Sequence, residues 1–134
     1  MSNLPDADAL VLSVIAAAEP TLNLGTQIPA DLLDKLPFAV VRRFGGAAVD
    51  LRFLDRATFD VQAWAGSRKA AYDTVDAIRT AFIDVVYNQT KFPLGHIARC
   101  VEIAAPSELR TVDQAGDVWR FQASYSLFLR PAPA

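Results

Sequence analysis

Apolar positions along the chain change their spacing several times, and each change marks an element. In residues 6–18, Leu10, Val11, Val14, Ile15 and Ala18 fall at i, i+1, i+4, i+5 and i+8, the single apolar face of a short helix. Pro5, Asp6 and Asp8 suit its N-terminus, and Pro20 stops it. Residues 22–28 alternate loosely, as a short strand does, and residues 29–36 read as one or two helical turns with Pro29 near the start. Residues 38–44 predict a strand with Phe38, Val40 and Phe44 on one face. Gly45-Gly46 predicts a sharp reversal at its end, and Asp55-Arg56 a second turn after residues 49–54.

The cleanest alternation covers residues 58–64. Phe59, Val61 and Ala63 share one face; Thr58, Asp60, Gln62 and Trp64 share the other. Ala65-Gly66-Ser67 breaks this strand, and Ser67 suits the N-cap of a following helix. Over residues 68–87 the period becomes helical, with Ala71, Val75, Ile78, Phe82, Val85 and Val86 as the buried stripe. Lys69, Asp73, Asp76, Arg79 and Thr80 lie largely away from it. Residues 88–95 connect to a strand over 97–104, alternating Ile97, Val101 and Ile103 against Ala98, Cys100 and Glu102. Residues 105–116 are polar and turn-rich, an open loop or a hairpin. The last strand turns Trp119, Phe121, Ala123, Tyr125, Leu127 and Leu129 to a core, and Arg120, Gln122, Ser124 and Ser126 to water, before Pro131 ends it. This order predicts the α+β class: a mainly antiparallel sheet with one long helix packed across it and a short N-terminal helix.

Composition narrows the function classes. No linker, repeat or low-complexity tract divides the 134 residues, which predicts a single domain over 1–134. With 52% hydrophobic and 21% charged residues, disorder is not expected. A net charge of −2 provides no basic face for nucleic-acid recognition, unless Arg42, Arg43, Arg52 and Arg56 converge on one patch. One Cys forms no internal disulfide, and one His with one Cys makes no multi-ligand zinc site. The longest apolar run, residues 10–18, is far short of the roughly 20 residues a membrane span needs. Asp6 and Asp8 stand where a signal peptide would carry cations.

Candidate chemistry is sparse. Gly45-Gly46 lacks the rest of a phosphate-binding loop, and no nucleophile elbow occurs. His96 and Cys100, four apart on a strand, would share a face roughly 13 Å from each other, too far to act together. Asp50, Asp55 and Asp60 do not have calcium-loop spacing and read as solvated turn residues. Arg42-Arg43 beside the Gly pair suits an anionic contact on a protein, or an acidic neighbour in the same chain. Trp64 and Trp119 suit core packing first and an interface contact second. No catalytic residue, cofactor site or metal site is predicted, and an enzyme is not expected.

Three patterns, in this order and spacing, resemble the tail terminator (tail completion) proteins of long-tailed bacteriophages. They are the Arg-bearing strand over 37–46 closed by Gly45-Gly46, the strand over 59–64 running into the helix with Ala70-Ala71, and the C-terminal strand over 120–130. Together they span roughly residues 4–130. The 23 alanines, and the 10 arginines among 13 cations, fit a phage of a GC-rich host. The resemblance implies a structural α+β subunit without cofactor or catalysis. It implies a homo-oligomeric ring, a hexamer, that caps the tail tube, ends its polymerisation and joins the tail to head-completion proteins. It places the protein at the head-proximal end of the virion tail, assembled in the host cytoplasm. Its partners would be further copies of itself, the tail tube protein and a head-completion or neck protein, with no membrane and no nucleic-acid sequence recognition. Two other readings stay open: a head–tail connector or neck protein, and a small α+β ligand-binding domain with a pocket near Trp64, His96 or Trp119. As interface candidates the first loop contributes Arg42, Arg43, Gly45, Gly46, Asp50, Arg52 and Asp55. The second contributes Arg110 and Asp113. The first helix and the stretch up to Leu36 are assigned to subunit contacts.

Overall fold

The computed structural model describes residues 3–109 and 118–133. Their order is helix α1 (Ala7–Ala18), strand β1 (Asn23–Gly25), a 3-10 turn (Leu32–Asp34), β2 (Phe38–Asp50), β3 (Leu54–Ala65), α2 (Arg68–Asn88), β4 (Gly95–Glu108) and β5 (Trp119–Pro131). The five strands form one sheet in the order β1-β2-β3-β5-β4. Only β1–β2 is parallel; the other three pairings are antiparallel. The predicted α+β class, with one long helix and a short N-terminal one, is the class observed.

Both helices cover the same face of the sheet. Leu10, Val11, Val14 and Ile15 of α1 and Ala71, Val75, Ile78 and Phe82 of α2 share one core with Ala39, Val41, Phe59, Val61 and Leu127. The caps follow the sequence: Asp6 accepts a hydrogen bond from the Ala9 N–H at 3.2 Å, and Ser67 accepts from Ala70 N–H at 3.1 Å. Each satisfies a donor that the first helical turn leaves without an intrahelical partner. Phe82 meets Tyr125 edge-on with ring centroids 5.2 Å apart, joining helix to sheet at the centre. On the opposite face Phe38, Val40, Trp64 and Val118 form a smaller cluster, packed by Leu32 and Leu36 from the 3-10 segment.

Several expectations are corrected. β2 does not reverse at Gly45-Gly46 but runs on to Asp50, and Asp55-Arg56 is strand, not turn. The chain instead turns at residues 51–53, and β2 and β3 pair out to Asp50 and Leu54. The register skips Phe44, which lies between the pairs Arg43–Phe59 and Gly45–Thr58. Phe44 keeps to the face of Phe38, Val40 and Arg42, where it borders a shallow groove with Asp60 and Gln122 and is exposed. A one-residue bulge of this kind reverses the alternation of the residues that follow it. β4 repeats the device: Ala98 is skipped between Ile97–Leu129 and Arg99–Phe128. Beyond it Cys100 and Glu102 pair with the core residues Leu127 and Tyr125, while Val101 and Ile103 are exposed, opposite to the simple alternation. β4 also runs to Glu108, so residues 105–108 of the expected loop are strand. In α1 the apolar face is core, not subunit contact, since Leu10, Val11, Val14 and Ile15 have no accessible surface, whereas Ala18 is exposed.

Candidate interaction surface

The β2–β3 hairpin carries most of the predicted candidates, and it rests on a buried ion pair. Arg43 donates from Nη1 to Asp55 Oδ2 at 2.6 Å and from Nη2 to Asp55 Oδ1 at 3.0 Å. Its Nε donates to the Gly45 carbonyl at 2.9 Å, and its backbone N–H to Asp8 Oδ1 of α1 at 2.8 Å. Asp55 is only 3% exposed, so it is no solvated turn residue. A bidentate guanidinium–carboxylate pair supplies direction as well as charge, and here it joins the two strands of the hairpin while α1 braces one of them. Gly46 has φ +94°, and an added Cβ would overlap the Arg56 carbonyl oxygen. Only glycine fits that close approach.

Beyond this base the hairpin ends in a tip. Arg52 donates to Asp50 from its backbone N–H at 2.8 Å and from its guanidinium at 3.2 and 3.3 Å. The Arg52 side-chain hydrogen bond, then its backbone one, holds the Asp50 carboxyl below the usual carboxylate range. Around this pair the tip is apolar: Leu51 is 74% exposed, and Val49 and Phe53 are exposed too. Phe53 lies under the guanidiniums of Arg52 and Arg130, 5.9 and 5.6 Å from its ring centroid.

The structure thus brings Arg43, Gly45 and Asp55 together at the base and Asp50 with Arg52 at the tip. Arg42 is exposed on the face away from the helices, paired in register with Asp60. Asp60 accepts from Gln62 and Gln122 at 2.9 and 2.8 Å. With Arg43 and Arg52 each paired to an aspartate, the four arginines 42, 43, 52 and 56 do not form one cationic patch. Arg110 and Asp113 lie outside the described residues. Sequence reasoning missed Val49, Leu51 and Phe53; the signal available was an apolar residue at every second position of a stretch that reads as turn.

A second feature lies between α2 and β4. A pocket of about 430 Å³ is walled by Ile83, Val86 and Tyr87, with Cys100 and Tyr125 on the sheet side. At its rim Arg79 and Glu102 form a bidentate pair, Nε to Oε2 at 2.7 Å and Nη2 to Oε1 at 2.8 Å. The Tyr125 hydroxyl is buried, and no hydrogen bond of good geometry reaches it among the described residues. Burial, and then the nearby Glu102 carboxylate, raises the Tyr125 phenol well above its ordinary range. The same two causes push the Cys100 thiol up to about 11, so it is held as thiol at neutral pH.

His96 is not beside this thiol. The bulge at Ala98 puts His96 opposite Arg130 and Cys100 opposite Leu127, on different faces, where simple alternation predicts one. Burial, then Lys91 and Arg130, lowers the His96 pKa; its Nε2 stands 3.1 Å from Lys91 Nζ. Among the described residues no group of three or more His, Cys, Asp or Glu is placed to hold a metal. Trp64, His96 and Trp119 do not line the α2–β4 pocket, so the pocket anticipated near them is not this one. What the molecule offers is an apolar tip on a rigid base and an apolar groove with an ionic rim.

The family model for "Phage tail termination protein" matches residues 3–134. No curated protein matches the chain.

Proposed function

The chain belongs to the phage tail termination protein family, and from that membership we propose that it closes the finished tail tube as a homo-oligomeric ring. The ring, a hexamer, ends polymerisation of the tube and presents its other face to a head-completion or neck protein. Its place is the head-proximal end of the virion tail, reached by assembly in the host cytoplasm. The family is structural, and the subunit acts here by surface complementarity, without catalysis or cofactor. The observation that carries the reading is the match over almost the entire chain. The fold supports it: a rigid sheet with exposed apolar side chains at the hairpin tip and along α2 suits repeated protein contacts. Among the described residues no helix is long and apolar enough to cross a membrane.

The test is capping. Purified protein is added to polymerising tubes of the cognate tail tube protein, and length is followed by electron microscopy. Arrest of elongation, with a ring of density at one end, is the expected result. Tubes that grow to the same length with and without the protein would refute the proposal.

A further inference from the structure

We propose that the hairpin tip of one subunit docks in the α2–β4 groove of the next copy, as the head-to-tail contact that closes the ring. This rests on the reading of the protein as a ring-forming terminator. A ring needs two different, mutually complementary surfaces on each subunit, related by a rotation that closes. The molecule carries such a pair. The tip is convex and apolar, built from Val49, Leu51 and Phe53. The groove is concave, and two of its wall residues, Ile83 and Tyr87, are 57% and 87% exposed.

Charge agrees with shape. Arg52 is balanced by Asp50 within the tip, which leaves the exposed Arg56, and Arg130 over the Phe53 ring, as its excess cations. On the groove side Glu102 is balanced by Arg79, and Asp76, one helical turn from Arg79 and close enough to act on its charge, is the excess acid. The tip would therefore bring excess positive charge to an apolar floor with an excess carboxylate near its rim, a difference that sets register and encounter between partners. Seating the tip would also complete the burial of Tyr87 and the rest of the groove wall.

A subunit does not fill its own groove. Asp55, at the base of the tip, is level with Leu129, whereas Tyr125 and Glu102 lie four residues further along, away from the tip. That is roughly 13 Å of strand in the wrong direction. Arg43–Asp55 also ties the two strands of the hairpin to each other at its base. Docking onto a second copy is what the geometry permits.

The experiment uses two surface variants of the full chain, Leu51→Glu in the tip and Ile83→Glu in the groove. Both positions are exposed, and circular dichroism with thermal melting verifies that each variant folds. Self-association is measured by sedimentation velocity in solution, and by subunit counting on tube ends. The wild type is expected to form closed rings, and each variant alone to associate about thirtyfold or more weakly, as loss of an interface hot spot does. The decisive sample is the equimolar mixture. Each variant keeps one intact surface, so the mixture should give a one-to-one heterodimer that grows no further. Folded variants that assemble like the wild type, a mixture that stays monomeric, or a wild type monomeric both in solution and on tubes would each overturn the proposal. Capping is scored separately. Rings built through tip and groove that fail to arrest tubes refute the proposed function alone, while capping unaffected by Leu51→Glu refutes this interface alone.

Discussion

At the scale of single residues the hairpin base is the most constrained part of the molecule. Replacing Arg43 by Met leaves the Asp55 carboxylate buried without its bidentate partner. Breaking a buried pair from one side is costly, and with Arg43 itself partly exposed the expected loss is about 3 kcal/mol, read by denaturant unfolding. Gly45 and Gly46 should respond differently although they are adjacent. A Cβ added at Gly46 collides with the backbone of β3 while φ stands at +94°, whereas nothing lies within 4 Å of a Cβ at Gly45. Gly46→Ala is therefore expected to destabilise by more than about 2 kcal/mol, and Gly45→Ala to stay within about 0.5 kcal/mol, in the same assay. His96 gives the pH dependence. Its folded pKa lies below that of the unfolded chain, because burial and the cations Lys91 and Arg130 disfavour its protonated form. Below about pH 6.5 the unfolded chain takes up the proton and the folded one resists it, so stability falls with falling pH. Melting midpoints between about pH 7 and 5 should show the decline, and His96→Gln should flatten it. Of these sites the sequence displays the Gly pair and the Arg pair, but not their roles. The Arg43–Asp55 pairing joins β2 to a residue four positions along β3 from Arg43's own partner Phe59, a contact that no local pattern announces.

At the scale of elements, legibility follows the strength of the periodic signal. Residues 68–87 and 119–129 fill long amphipathic segments, and α2 (Arg68–Asn88) and β5 (Trp119–Pro131) match them within two residues. In β2 and β4 simple alternation gives the wrong phase over half the length because each strand carries bulges, and one extra residue exchanges the two faces of everything beyond it. Glycine misleads in the same way. A Gly pair signals a turn in most chains, yet here Gly46 serves a close strand approach inside a ladder. The first helix shows the opposite failure: its apolar face is plain in the sequence, but what covers it is the protein's own sheet. Val11→Asp should therefore act on folding and not on assembly. A charge placed where the native side chain has no exposure, without a partner, is expected to cost more than about 3 kcal/mol and to lower soluble yield. A folded Val11→Asp chain with wild-type stability would show that α1 is not held in the core.

For the whole molecule, the apolar excess divides into a part that holds the sheet to its helices and a part left outside. The outer share includes Val49, Leu51 and Phe53 at the hairpin tip and Ile83 and Tyr87 on α2, beside scattered positions such as Leu33, Phe44 and Ile103. The ion pairs near these patches, Asp50–Arg52 and Arg79–Glu102, are already formed within the subunit. Subunit association would then draw mainly on apolar burial, with charge setting orientation. The two contributions separate in salt, since raising ionic strength from about 0.1 to 1 M shortens the screening length from roughly 10 to 3 Å and leaves apolar burial intact. Self-association through tip and groove is therefore expected to weaken by less than about tenfold over that range, followed by sedimentation at matched protein concentrations. Calorimetry of the same step should show a negative heat-capacity change, the mark of apolar surface leaving water. Rings that fall apart at the higher salt, with no heat-capacity change, would mean that the contacts are ionic. The exposed apolar tip would then need another occupant.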